Sequence, residues 1–234
     1  MTLAYQMVTT TIKGLTRTLC RVDDAQLAQV PERGPLILVA NHINFIEVPL
    51  IYTHLLPRPI TGFVKAENLD HPLLGPLLFH LWRGIPLHRG EADMAALRRA
   101  LEVLEEGHIL AVAPEGTRSG SGDLQRGHPG IVFVALRSGA PLLPVVYYGS
   151  ERFWRNLRSL RRTDFHIVVG QPFYLEASGA RVTREVRQQM ADEIMYQLAA
   201  LLPPSYRGAY SDLSAATETY LRFPPGAESN LRRA

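Results

Sequence analysis

Residues 36–49 read Leu36-Ile37-Leu38-Val39-Ala40-Asn41-His42-Ile43-Asn44-Phe45-Ile46-Glu47-Val48-Pro49, and this stretch decides the fold. Its first five residues are apolar, rich in branched side chains and preceded by Pro35, as suits a strand buried on both faces. Asn41-His42 follow directly, Glu47 stands five positions after the histidine, and a helix-like apolar segment (Val48, Leu50, Ile51, Leu55) comes next. In one continuous helix, positions five apart lie about 140° apart around the axis, so His42 and Glu47 meet only if the chain turns between them. A turn at the carboxyl end of a strand is where open α/β sheets bind ligands. A carboxylate on one imidazole nitrogen fixes the tautomer and leaves the other nitrogen free to take a proton. The same residues also suit a hydrogen-bonded structural histidine, so the pair alone does not name a function. The pair is expected to be partly open to solvent.

Outward from this stretch, strands and helices alternate. The patterns predict strands at 60–64, 84–87, 109–113, 142–147 and 165–169. They predict an apolar helix at 71–82 and an amphipathic one at 91–106, opened by Glu91 and Asp93, carrying Leu97, Leu101 and Leu104, and stopped by Gly107. A helix at 129–137 is closed by Gly139, and Val186, Met190, Ile194, Leu198 and Leu201 mark a long one before Pro203-Pro204. This rhythm implies an α/β single domain with a largely parallel central sheet flanked by helices. Residues 22–204 form that domain and 205–234 a C-terminal extension, with a short helix at 212–223 and a frayed tail from 224.

Residues 1–21 read as an amphipathic N-terminal helix, with Val8, Ile12, Leu15 and Leu19 on one side and Lys13, Arg17 and Arg21 opposite. Such a helix either lies in a membrane interface or docks its apolar face on the core. It lacks the apolar run and cleavage site of a signal peptide. No segment approaches the roughly 20 apolar residues of a spanning helix, so the chain is expected to lie on a membrane rather than cross it.

With 46% hydrophobic and 20% charged residues, the 234-residue chain can bury a sizeable core and is not disordered. A net charge of +3 permits an anionic partner such as a membrane surface or a phosphorylated substrate and does not call for nucleic acid. Cys20 is the only cysteine, which excludes an intrachain disulfide, and its apolar setting predicts a packing role. Without an HExxH or CxxC pattern, the sequence gives no support to a metal site.

The strand at 109–113 runs into Pro114-Glu115-Gly116-Thr117-Arg118-Ser119, then Gly120, Gly122 and Arg126-Gly127. Glycines let backbone approach a ligand closely, and an arginine after a buried strand offers a planar fork to phosphate or carboxylate. A polar surface loop in which Glu115 pairs with Arg118 is the alternative. Asn41-His42 and the 114–119 segment together resemble the glycerolipid acyltransferase family typified by PlsC-like 1-acylglycerol-3-phosphate acyltransferases. The family's hallmark is Asn-His-x4-Asp followed some seventy residues later by Pro-Glu-Gly-Thr-Arg-Ser. Between them, Lys65-Ala66-Glu67-Asn68-Leu69 and Gly84-Ile85-Pro86 with Arg89 resemble further family blocks, as does the segment at 140–145. The resemblance covers about residues 30–172, and the family's aspartate is Glu47 here.

The resemblance implies that His42 is a general base oriented by Glu47, and that Glu115, Gly116, Thr117 and Arg118, with Lys65 and Arg89, bind the phosphate-bearing acceptor. The acyl group would pass directly from acyl-CoA or acyl carrier protein, a substrate rather than a cofactor, to the hydroxyl of a lysophosphatidate-like lyso-lipid. The implied setting is phospholipid synthesis, with the protein peripheral on the cytoplasmic, inner membrane surface. The helix at 71–82 is a candidate wall for the acyl chain. Other acceptors of the same class are glycerol-3-phosphate, a lyso-ornithine lipid or a glycolipid. An inactive lipid-binding protein follows if Glu47 fails to orient His42, and the absence of Gly-x-Ser-x-Gly argues against a hydrolase.

Overall fold

In the computed structural model, which describes residues 3–32, 34–72, 75–88, 93–177, 179 and 181–233, the run at 36–40 is the middle strand of a seven-stranded sheet. In chain order the elements are α1 (Leu3–Leu19), β1 (Cys20–Asp23), β2 (Leu36–Ala40), α2 (Glu47–His54), β3 (Ile60–Lys65), β4 (Ile85–Leu87) and α3 (Met94–Glu105). They continue with β5 (Ile109–Val112), α4 (Gly130–Ser138), β6 (Leu142–Tyr148), α5 (Phe153–Arg158), β7 (Thr163–Val169), β8 (Tyr174–Leu175), α6 (Arg184–Leu201) and β9 (Leu221–Arg222). The sheet order is β1-β7-β6-β2-β5-β3-β4, and every pairing is parallel except that of β6 with β7.

All five residues of β2 are buried, and their alternation assigns them to two cores. Ile37 and Val39 join the layer of α3, α4 and α6, while Leu36, Leu38 and Ala40 face the layer containing α2 and the inner side of α1. Each such leucine or isoleucine contributes about 1.5–3 kcal/mol by leaving water. The carboxyl ends of β2, β3, β5 and β6 therefore lie along one edge of the sheet.

Helix α1 is present and docks through Tyr5, Ile12 and Leu19, so half of the expected apolar face turns inward and half does not. Thr9 and Thr16 are buried, whereas Val8 and Leu15 are exposed along with Met7. The threonine hydroxyls donate to carbonyls one turn back (Thr9 to Tyr5 at 2.7 Å, Thr16 to Lys13 at 3.0 Å), so they enter the interior without losing a partner. Arg21 does not continue the helix, because residues 20–23 pair with β7 instead. Cys20 is fully buried, and burial pushes its thiol up to about 11. No helix among the described residues is long and apolar enough to cross a membrane.

Other boundaries also shift. Of the helix expected at 71–82, Pro76–Leu81 forms a π-helical turn with Pro76 at its first position, where no amide N–H is needed; residues 73 and 74 lie outside the described set. Helix α3 starts at Met94, capped by Asp93, which accepts from the Ala96 amide at 2.9 Å; Glu91 is not described. That bond, with the amide and ring of His88, holds the Asp93 carboxyl at about 2.

The helix expected at 212–223 is replaced by a 3₁₀ turn at Leu213–Ala215 and by β9, which pairs antiparallel with β8. The tail is not frayed. Asn230 is fully buried, accepting from the Gln171 amide at 2.7 Å and donating through Nδ2 to Gln197 Oε1 at 2.9 Å.

Candidate active site

The carboxyl end of β2 is extended by a side chain. Asn41 Nδ2 donates to the Tyr147 carbonyl at 2.9 Å and its Oδ1 accepts from the Tyr147 amide at 2.8 Å, so the residue continues the β2–β6 pairing while the main chain turns away. Asn44 completes the turn, with Oδ1 accepting from the Ile46 amide at 2.9 Å and Nδ2 donating to the Ser150 carbonyl at 2.7 Å. This brings His42 Nδ1 to 2.9 Å from Glu47 Oε2.

Glu47 opens α2, where the helix dipole favours a negative charge. Its Oε2 also accepts from the amides of Asn44 at 2.8 Å and Ile43 at 3.2 Å, and its Oε1 accepts from Ser150 Oγ at 2.7 Å. The Glu47 side chain is 3% exposed and that of His42 20%, so the carboxylate is buried rather than partly open as expected, and only the imidazole meets solvent. The cause is its set of donors, which replaces the water a carboxylate would otherwise need.

On the other nitrogen, Arg118 Nε donates to His42 Nε2 over a long 3.4 Å contact. A carboxylate can only accept and a guanidinium can only donate, so both neighbours specify the neutral tautomer with its proton on Nδ1 and its lone pair on Nε2.

The 114–120 loop is laced to the histidine loop. Ser119 and Gly120 amides donate to the carbonyls of His42 and Ile43 at 2.8 and 3.0 Å. Glu115 is buried; its Oε1 accepts from the His42 amide at 2.8 Å and its Oε2 from the Gln125 amide at 2.9 Å. Burial pushes its carboxyl up, and the two amides oppose that shift. The geometry thus gives Glu115 to the protein's own backbone, and no Glu115–Arg118 pair forms. Gly116 takes φ +66°, a conformation that favours glycine, and it is exposed together with Thr117 and Arg118. Gly127 is needed for closeness, since a Cβ there would lie 2.6 Å from Met195 Cγ of α6.

Lys65 ends β3 on the same sheet edge and pairs with Glu67 at 3.2 Å. Arg89 lies outside the described residues. The structure also brings in Asn41, Asn44, Gln125 and Ser150, which the sequence reading did not place in the site. A polar Ser150 just past β6, the neighbour of β2, was the available signal, but it could be read only with the strand order in hand.

The pattern of the family described as Acyltransferase matches residues 21–148. The chain is 29% identical over 126 residues to a 1-acyl-sn-glycerol-3-phosphate acyltransferase of Borreliella burgdorferi, covering 53% of this chain and 50% of that one. It is 34% identical to a protein of the same name from Limnanthes alba over 51% of this chain and 43% of that one, so it spans about half the length of these relatives. With the Pseudomonas aeruginosa protein of that name identity is 23%, over 87% of this chain and 79% of the other. The crystal structure of the 1-acyl-sn-glycerophosphate acyltransferase PlsC from Thermotoga maritima superposes with a TM-score of 0.57 at 22% identity, covering 82% of this chain and 78% of that one, and so shares the fold. With the family pattern covering more than half of its length, the chain belongs to the acyltransferase family.

Proposed function

We propose that this protein transfers a fatty acyl group from an acyl thioester to the free hydroxyl of a lysophosphatidate-like acceptor at the inner surface of a membrane. The observation that carries this reading is the His42–Glu47 pair, with its lone pair on Nε2 beside Arg118. A hydroxyl is a poor nucleophile at its own pKa and needs a neutral base within hydrogen-bond reach. His42 Nε2 takes the hydroxyl proton as the oxygen attacks the thioester carbonyl. The new C–O bond forms, the C–S bond breaks, and the proton is returned to the leaving thiolate. Glu47 stabilises the imidazolium between those two events. The acceptor's phosphate draws the Arg118 guanidinium into a bidentate contact, which uncovers Nε2 for the hydroxyl. Gly116 and Thr117 line the same approach, with Lys65 and Arg89 adding positive charge. The exposed Met7, Val8 and Leu15 of α1 provide a lipid-facing strip.

The test is thiol release by the purified protein, measured with and without each member of a panel of lyso-lipid acceptors, with the product identified by mass. Release that depends on a phosphate-bearing lyso-lipid is expected, and a folded His42→Ala protein should lose about 10²–10⁴ of the rate. Release that ignores the acceptor, or a His42→Ala protein of near-normal activity, would refute the assignment.

A further inference from the structure

Residues 113–129, between β5 and α4, carry the loop assigned to the acceptor and contain no helix or strand of their own. Ordering such a segment costs conformational entropy, and an acceptor that had to order it would bind more weakly for it. The order is supplied from far along the chain. Two 3₁₀ turns, Pro204–Tyr206 and Gly208–Tyr210, follow α6 and form a strap across the return arm of the loop. They take both main-chain groups of Leu124: its amide donates to the Tyr206 carbonyl at 3.0 Å, and its carbonyl accepts from the Ala209 amide at 2.9 Å. The fit is so close that a Cβ on Gly208 would strike the Leu124 carbonyl. Both main-chain groups of Gly127 are taken as well. Its amide donates to Tyr210 Oη at 3.0 Å, and its carbonyl accepts from Gln188 Nε2 of α6 at 3.0 Å. Tyr210 Oη in turn donates to Asp192 Oδ1, also on α6, at 2.7 Å. Tyr210 is buried, and burial pushes its hydroxyl up, so the proton stays on the phenol oxygen.

Gln125 sits between the two clamped residues and reaches the substrate side. Its Nε2 donates to the Arg118 carbonyl at 3.3 Å, and its amide holds Glu115 Oε2, whose other oxygen receives the His42 amide. The strap is also anchored beside the base, since Tyr206 Oη donates to Glu151 Oε1 at 2.9 Å and the preceding Ser150 holds Glu47. It therefore fixes the arginine that would meet a phosphate relative to the histidine that would meet the hydroxyl. None of its residues falls within 21–148, the part that the family pattern matches. We propose that Tyr210 is a positioning residue for the acceptor, holding the 114–127 loop in its phosphate-binding form through the Gly127 amide. The proposal deepens the acyltransferase assignment and rests on it.

Tyr210→Phe keeps the ring and removes only the hydroxyl. In the full-length protein, KM for a phosphate-bearing lyso-lipid should rise about tenfold, the effect of one lost hydrogen bond, while kcat and KM for the acyl donor stay within about twofold. Asn230→Ala loosens the C-terminal segment away from the loop and controls for lost stability; its acceptor KM should be unchanged. In an Arg118→Ala background, Tyr210→Phe should change the acceptor KM by less than about twofold, because the two act through one contact. Amide hydrogen exchange reads the loop directly: peptides covering 115–127 should exchange faster in Tyr210→Phe and at the wild-type rate in Asn230→Ala. If Tyr210→Phe does not fold, Gln188→Ala frees the Gly127 carbonyl from a half-buried position and carries the same expectations.

Four results would overturn the proposal: equal rises in KM for acceptor and donor, the same acceptor defect in Asn230→Ala, full additivity with Arg118→Ala, or unchanged exchange at 115–127. If the wild type turned over no thioester yet Tyr210→Phe loosened 115–127, the strap would stand as the anchor of the loop and the acyl-transfer assignment would fall.

Discussion

Glu47 carries four hydrogen-bond donors on two oxygens, and this outcome separates the substitutions that can be made there. Glu47→Asp keeps the charge but shortens the reach, so activity should fall below wild type and stay above the other variants. Glu47→Gln turns an NH₂ toward a donor and removes the charge that steadies imidazolium, and with Glu47→Ala it should sit near the His42→Ala floor. Stability should follow the same order, because Ala strands the Ile43 and Asn44 amides and the Ser150 hydroxyl at about 1–3 kcal/mol for each buried group. Denaturant titration and acceptor-dependent thiol release on the same preparations check both orders, and a stable, active Glu47→Ala protein would refute the pairing. Ser150→Ala removes one contact of the four; as a positioning change it should lower kcat with little effect on KM for the acceptor, and a pure KM effect would count against it. The His42–Glu47 contact was legible because a turn after a buried strand lets residues five apart meet, while Arg118 was singled out by its place in a glycine-rich loop after another buried strand. The buried state of Glu47 was not, since it depends on Ser150, which lies 103 positions away and arrives only through the β2–β6 pairing.

Among the elements, strands buried on both faces were the most legible, because an uninterrupted apolar run such as residues 36–40 has few other uses. Helix α1 shows the opposite case. A wheel ranks leucine and valine above threonine, yet here Thr9 and Thr16 turn inward beside Ile12 and Leu19 with their hydroxyls satisfied by the helix itself, while Val8 and Leu15 remain outside. Deleting residues 1–21 would therefore remove a packed helix and the first residues of β1, and it is a poor probe of membrane binding. A Met7→Ser/Leu15→Ser protein is the better one. Its stability should change by no more than about 0.5 kcal/mol, as at other exposed positions, while sedimentation with anionic vesicles should fall several-fold. Unchanged sedimentation would remove α1 from the lipid-facing surface. The segments at 153–158 and 221–222 escaped a reading by periodicity because they are too short to show one.

At the scale of the whole molecule, the chain's late residues complete the core that its early strands begin. The Asn230 side chain links the β7–β8 connection to α6 through Gln171 and Gln197. Asn230→Ala would leave the half-buried Gln171 amide and the buried Gln197 Oε1 each short of a partner, so a loss of about 1–3 kcal/mol is expected in urea unfolding, with thiol release per folded molecule unchanged. Composition marked this region as a tail, because a lone polar residue does not announce that its partners lie on distant elements. In the proposed reaction, water would compete with the lyso-lipid for the activated acyl group. Arg118 Nε donates to His42 Nε2, and in that arrangement the imidazole lone pair would be masked from a water molecule near the proposed thioester. Arg118→Ala should then do two opposite things, weakening use of a phosphate-bearing acceptor and raising acceptor-independent thioester hydrolysis. Coupled thiol-release and product-mass measurements would separate the two, and a fall in both would leave Arg118 as an anion contact alone. A base that stays covered until an anion arrives would let the molecule keep a reactive thioester intact between encounters, so that fidelity to the acceptor and thrift with the donor come from one side chain.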